Sequence, residues 1–211
     1  MLQLKQILKR MKSFFFWSKT KAENDPLAKL EARGLVIAES SKKRMHSPWG
    51  IDNMFPWLIE IGEECIISTN VLILAHDASP ALTNGYTKMG RVSIGNHVFV
   101  GHGATILCGV TIGDNVIIGA NSLVNRDVPA NTVYAGDPAR YICSFDEYRE
   151  KRSKEMEQVP VLEHDWLYWS RRATKDEKEE IAEKLKKTKF CYIKSNMDPA
   201  GFTEKERIQN N

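Results

Sequence analysis

In the middle of this 211-residue chain the apolar positions repeat neither every 3.6 residues nor every second residue. Ile94, Val100, Ile106, Ile112, Ile118 and Val124 fall six apart. Two residues before each stands another small or β-branched residue: Val92, Val98, Ala104, Val110, Val116 and Ser122. Glycine follows the aliphatic at Gly95, Gly101, Gly113 and Gly119. A hexad rhythm is the mark of a parallel β-helix, in which each hexad makes one short strand and one turn. Stacked coils set each residue above its counterpart, so the aliphatics fill the interior as ladders. One coil cannot bury its own face, so stacking is required. The glycines are expected to supply turn conformations that a residue with a Cβ avoids. An antiparallel sheet with glycine-rich turns does not account for consecutive hexads in register.

The register begins at Ile61-Gly62 and continues through Ile67 and Ile73, and then breaks. The next ladder position is Ile94, so residues 76–90, HDASPALTNGYTKMG, form an excursion from the coil, rich in turn formers. Loops carried on a rigid scaffold are where function tends to sit. Upstream, Leu4, Ile7, Leu8, Met11, Phe14 and Phe15 are at helical spacing among basic residues, which predicts an amphipathic helix over residues 1–18. Packing against protein and lying on an anionic membrane surface both suit such a helix. Leu27 to Ile37 is expected to be a short helix, and Ser40 to Asn53 irregular or short extended structure. This segment is placed to cover the open end of the first coil, where backbone groups would otherwise go unpaired. Downstream, Val133 to Ile142 is expected to make a last extended pass. Ser144 to Glu147 and Thr174 to Glu177 fit capping boxes, the second opening a helix to about Lys187 with Ile181 and Leu185 as its few apolar positions. Trp166, Tyr168 and Trp169 are expected to anchor the tail. The organisation read from this is an N-terminal segment over 1–56, a β-helix over 57–142 and a helical extension over 143–211.

Composition narrows the picture only a little. A hydrophobic fraction of 42% with 27% charged residues is that of a soluble globular chain. The net charge of +3 is too small to argue for nucleic acid. The basic character is concentrated in Lys5, Lys9, Arg10, Lys12, Lys19 and Lys21. Four cysteines without a CxxC pattern read as reduced filler, hence a cytoplasmic protein. No apolar run is long enough to span a bilayer, and the start lacks a signal-peptide pattern. Peripheral contact at the inner membrane face stays open through residues 1–18.

The best candidate for chemistry is His76, first residue of the excursion, followed by Asp77. A neutral imidazole there can take a proton from an alcohol or amine nucleophile. On position alone, a solvated loop histidine is the simpler reading.

The motifs change that balance. They are Ile73-Leu-Ala-His76-Asp77, Val92-Ser-Ile-Gly95, Val98-Phe-Val-Gly101, Gly109-Val-Thr-Ile-Gly-Asp-Asn115, Val116-Ile-Ile-Gly-Ala-Asn-Ser122 and Ala135-Gly-Asp-Pro-Ala-Arg140. With them, the chain from about Trp57 to Ile142 resembles the hexapeptide-repeat acyltransferases. The nearest branch is the sugar and polysaccharide O-acetyltransferases, such as the maltose and galactoside acetyltransferases. The resemblance implies a mainly β protein, a left-handed parallel β-helix that assembles as a homotrimer, with acetyl-CoA as co-substrate and a sugar or polysaccharide as acceptor. It places His76 as general base and the backbone amide of His102, after Gly101, as oxyanion donor. The family often has Ser, Gly or Ala at the position of His102. It implies further that the pantetheine arm passes Gly119 and Ala120. Asn125, Arg126 (where the family usually has lysine) and Arg140 join Gly101 in holding the cofactor. Asn70, Asp77, Asn84, Tyr86 and Lys88 are the candidate acceptor contacts.

Two other classes share the fold. The γ-class carbonic anhydrases bind zinc through three histidines, and Val100-Gly-His102-Gly-Ala resembles their metal segment. Five residues on, however, stands Leu107, which cannot ligate, and His97 falls at a different point of its hexad. No metal is expected. The other class is a non-catalytic trimeric β-helix scaffold.

Overall fold

A computed structural model describes residues 25–163 and 173–194. The helix expected over 1–18 and the aromatics Trp166, Tyr168 and Trp169 lie outside them. The chain divides after Ile142 into two compact units.

The first unit is a parallel β-helix with three faces. One sheet joins Val36–Ile37, Ile59–Ile61, Val92–Ile94 and Thr111–Ile112. The second contains Ile66–Ile67, Phe99–Val100, Ile117–Ile118 and Thr132–Ala135. The third joins Leu72–Ile73, Thr105–Ile106 and Leu123–Val124. Ile94 lies over Ile112, Val100 over Ile118 and Ile106 over Val124, so one turn of the coil is three hexads. Ile61, Ile67 and Ile73 lie over Ile94, Val100 and Ile106. The residues that lengthen that one turn are those of the excursion. Both ladders are buried: the aliphatics and the residues two before them are at most 2% exposed. Each such Val or Ile is worth about 1.5–3 kcal/mol of apolar burial.

The glycines after the ladder positions have a different purpose from the one expected. The backbone is not left-handed at Gly95, Gly101, Gly113 or Gly119. Left-handed φ falls instead three residues after the aliphatic, at Glu64, Asn70, His97, Gly103, Gly109, Asn115, Asn121 and Asn131, with φ between 53° and 84°. Asparagine tolerates that region better than other residues with a Cβ, which explains its frequency there. The glycines beside the ladder are needed because the next coil comes too close. A Cβ on Gly101 would stand 2.5 Å from the Ala120 nitrogen, and one on Gly113 would stand 2.6 Å from the Ala130 nitrogen. Polar side chains stitch the turns between coils. Asn96 Oδ1 accepts from the Glu63 amide at 2.9 Å, and Asp127 Oδ1 accepts from the Thr111 amide at 2.8 Å.

The segment before the first regular coil forms an irregular coil of its own. The helix expected over Leu27 to Ile37 stops early, as Pro26–Glu31, capped by the Asp25 carboxylate on the Leu27 amide at 2.9 Å. Gly34 then takes φ +101°, which a helix cannot accommodate, and Val36–Ile37 is a strand. Ser40 to Asn53, expected to be irregular or short extended structure, carries two further rungs of extended backbone: Met45 bridges to Ile67 and Ile51 to Ile73. Ser41 Oγ donates to the Gly62 carbonyl at 2.6 Å and accepts from the Cys65 amide at 2.8 Å. The end of the regular coil is therefore paired, as expected of a cover.

At the other end, the single pass expected over Val133 to Ile142 is split. Thr132–Ala135 is a strand, a turn with a cis Asp137–Pro138 bond follows, and a second strand starts at Arg140. In the second unit, helix Phe145–Met156 opens on the Ser144–Glu147 capping box and helix Lys175–Leu185 on Thr174–Glu177. Neither helix buries a residue. Val161–Leu162 pairs in parallel with Tyr192–Ile193.

Candidate active site

His76 stands three residues beyond the ladder residue Ile73, where the third sheet ends and the excursion leaves. The excursion starts and ends as a two-stranded ribbon, His76 opposite Met89 and Asp77 opposite Lys88. Between them lies the short helix Ala81–Asn84, closed by Gly85 at φ +78°. The Gly90 amide donates to the Ala75 carbonyl at 3.0 Å and shuts the neck. Asp77 Oδ1 accepts from the Ser79 amide at 2.9 Å, and that bond holds its carboxyl below the ordinary range. Asn84, Tyr86 and Lys88 are all exposed on this loop.

The sequence reading missed the residue that positions His76. Asp52 Oδ2 bonds His76 Nδ1 and also accepts from the Ala75 amide at 2.9 Å. Its Oδ1 accepts from the amides of Met54 at 2.9 Å and Phe55 at 3.3 Å. The Asp52 side chain is 1% exposed and that of His76 24%. Burial pushes the Asp52 carboxyl up, but His76 and the three amides outweigh it and hold the group below its ordinary value. An ionised carboxylate only accepts, so the neutral His76 ring carries its proton on Nδ1 and keeps a lone pair on Nε2. The Phe55 ring lies 5.2 Å from the imidazole. Nothing local marked Asp52, because it belongs to the irregular coil, where the hexad register is absent.

The remaining candidates occupy two different corners of the helix. Asn125 and Arg126 follow Val124 out of the third sheet, on the same corner as His76 but two coils further on. Both are exposed. Asn70, Gly101, His102, Gly119 and Ala120 lie on the corner between the second and third sheets. There Thr69 Oγ1 meets His102 Nδ1 at 2.7 Å, and the His102 carbonyl accepts from the Asn121 amide at 2.8 Å. Arg140 is exposed and donates to the Ala139 carbonyl at 2.9 Å. Within one chain, His76 and the His102 amide are therefore not brought together. His97 follows the first sheet, on a third corner, away from His102. Among the described residues, no three His, Cys, Asp or Glu side chains converge as metal ligands.

Residues 91–126 match the model of the bacterial transferase hexapeptide, six repeats. The YvoF protein of Bacillus subtilis is 41% identical over 106 residues, which cover 50% of this chain and 59% of its own. The galactoside O-acetyltransferase of Escherichia coli is 40% identical over 43% of this chain and 46% of its own. Escherichia coli WbbJ, named for O-acetyl transfer in lipopolysaccharide biosynthesis, is 33% identical over 42% of this chain and 51% of its own. The chain thus spans about half the length of the curated relatives it matches. Residues 91–126 are a transferase hexapeptide repeat, and over about half its length the chain is similar to named acetyltransferases.

Proposed function

We propose that this protein is an O-acetyltransferase that moves acetyl from acetyl-CoA to a sugar hydroxyl, in a cell-surface polysaccharide or its precursor. The observation that carries the reading is the buried Asp52 carboxylate on His76 at the mouth of the excursion. The Nε2 lone pair takes the proton of the acceptor hydroxyl as its oxygen attacks the thioester carbonyl. The carbonyl oxygen becomes an oxyanion, for which the His102 amide is the proposed donor. The intermediate collapses by breaking the C–S bond, and the CoA sulfur leaves with the proton from the imidazolium. Asp52 faces the Nδ1 proton throughout and stabilises the imidazolium formed midway.

His76 and His102 on different corners fit a site shared between subunits, the base from one chain and the oxyanion donor from the next. This is the homotrimer of the left-handed family. Gly101, Gly119 and Ala120 give the pantetheine arm a flat edge, and Arg126 and Arg140 suit the CoA phosphates.

The test is His76→Ala. It is expected to lower kcat by about 10²–10⁴. Acetyl-CoA at a hundred times its Kd should still stabilise the variant by about 2.7 kcal/mol in an unfolding experiment. Undiminished turnover in the variant, or no response of wild type to acetyl-CoA, would sink the proposal.

A further inference from the structure

Beside the His76 imidazole, the segment that closes the coil presents aromatic surface that the core does not use. The Phe55 ring stands 5.2 Å from the imidazole, and the Trp57 ring meets Phe55 edge-on at 5.4 Å and 70°. Phe55 is half-buried against the core. Trp57 is 55% exposed, although Pro56 and Ile59 on either side of it are buried.

Trp57 is nevertheless rooted firmly. Its backbone lies in the single turn Pro56–Leu58, where the Leu58 amide donates to the Phe55 carbonyl at 3.0 Å. Strand Ile59–Ile61 of the first sheet follows at once. Gly34, at φ +101°, comes so close that a Cβ there would stand 2.7 Å from the Trp57 Cβ. The backbone beneath the indole is therefore held in place while much of the ring is left to solvent. Trp49 is more exposed still, at 81%, but no ring contact ties it to the imidazole.

A pyranose has an apolar C–H face and a rim of hydroxyls. It matches a surface that is aromatic on one side and carries a proton acceptor on the other. The indole and the imidazole both contact the Phe55 ring, so a sugar lying across that side chain would meet both.

We infer that Trp57 is the stacking platform of the acceptor site: its indole takes the C–H face of a pyranose ring and turns the hydroxyl rim toward His76. The assignment rests on the sugar O-acetyltransferase reading above.

The test uses the full chain with acetyl-CoA and four acceptors: methyl glucopyranoside, methyl galactopyranoside, maltose and N-acetylglucosamine. Initial rates are measured against acceptor concentration for wild type, Trp57→Ala, Trp57→Phe and Trp49→Ala. Trp57→Ala is expected to raise the acceptor KM about tenfold, with the KM for acetyl-CoA and the sedimentation coefficient unchanged. Trp57→Phe should fall between, and Trp49→Ala should match wild type. An unchanged acceptor KM in Trp57→Ala, or an equal rise in Trp49→Ala, overturns the assignment. Loss of assembly in Trp57→Ala also overturns it, because the indole would then be packing between copies. Wild-type protein that binds acetyl-CoA but modifies none of the four sugars overturns the acceptor reading and this inference with it. That failure is seen in wild type before any variant is made, so the two failures are distinguishable.

Discussion

A histidine that takes a proton from an alcohol needs a fixed ring and a fixed tautomer, and Asp52 supplies both to His76. The carboxylate accepts from Nδ1 and from three backbone amides, so it can neither rotate nor easily protonate. Its pKa is held below the ordinary 3.8, so the stability it contributes is present above that value and is lost as pH falls through the lower, folded value. In Asp52→Asn an amide NH₂ can face the imidazole and favour the wrong tautomer. We expect kcat near neutral pH to fall about 10²–10⁴-fold. Urea denaturation across a pH series should show wild type more stable than the variant above about pH 4, with the gap closing in more acid solution. A gap independent of pH would mean that the carboxylate charge is not what holds the dyad.

Hexads of the first and second sheets combine two separate demands that sequence inspection had merged into one. There the residue after the ladder aliphatic has to be small because the next coil passes at backbone distance, whereas on the third sheet Leu74, Leu107 and Asn125 hold that place. The residue three after it has to accept left-handed φ. Gly101→Ala tests the first demand, because its Cβ would meet the Ala120 nitrogen at 2.5 Å in a contact that only backbone movement relieves. Chemical unfolding is expected to show a loss of about 1–3 kcal/mol. A neutral result would mean that adjacent coils slide apart at little cost. The hexad rhythm itself was legible because ladder burial repeats identically in each rung. The reason for the glycines was not legible, since a glycine required by close approach and one required by φ look alike in a sequence.

Taken whole, the first unit is a rigid prism from which one loop is extruded. Register resumes across the excursion as though it were absent: Ile73 lies directly over Ile106, and the Gly90 amide closes on Ala75. Replacing residues 77–89 by a two-glycine link is therefore expected to leave the circular-dichroism spectrum of the coil in place, with Tm changed by only a few degrees. Acetyl transfer should be abolished, because the proposed acceptor contacts leave with the loop. Collapse of the fold on excision would show instead that the loop holds the coil together. Partition of His76 and His102 between corners also belongs to this level, since no single corner contains both the proposed base and the proposed oxyanion donor.

The pattern of residues along the chain was enough to determine the coil, its ladders, the length and position of the excursion and the two capped helices beyond it. Each of these depends on interactions that recur at a constant interval or lie within one turn of a helix: stacking of like on like, and a Ser or Thr hydroxyl reaching an amide three residues away. Tertiary structure alone decided the rest. Residues 35–52 became an extra coil because the open end of the sheets offered unpaired groups to Met45, Ile51 and the hydroxyl of Ser41. Asp52 reached His76, and Phe55 came into ring contact with the imidazole and with Trp57, only once that docking was made. Contacts between residues more than twenty apart, made by a segment with no period of its own, leave no interval to read; they exist only once the coil is there to receive them.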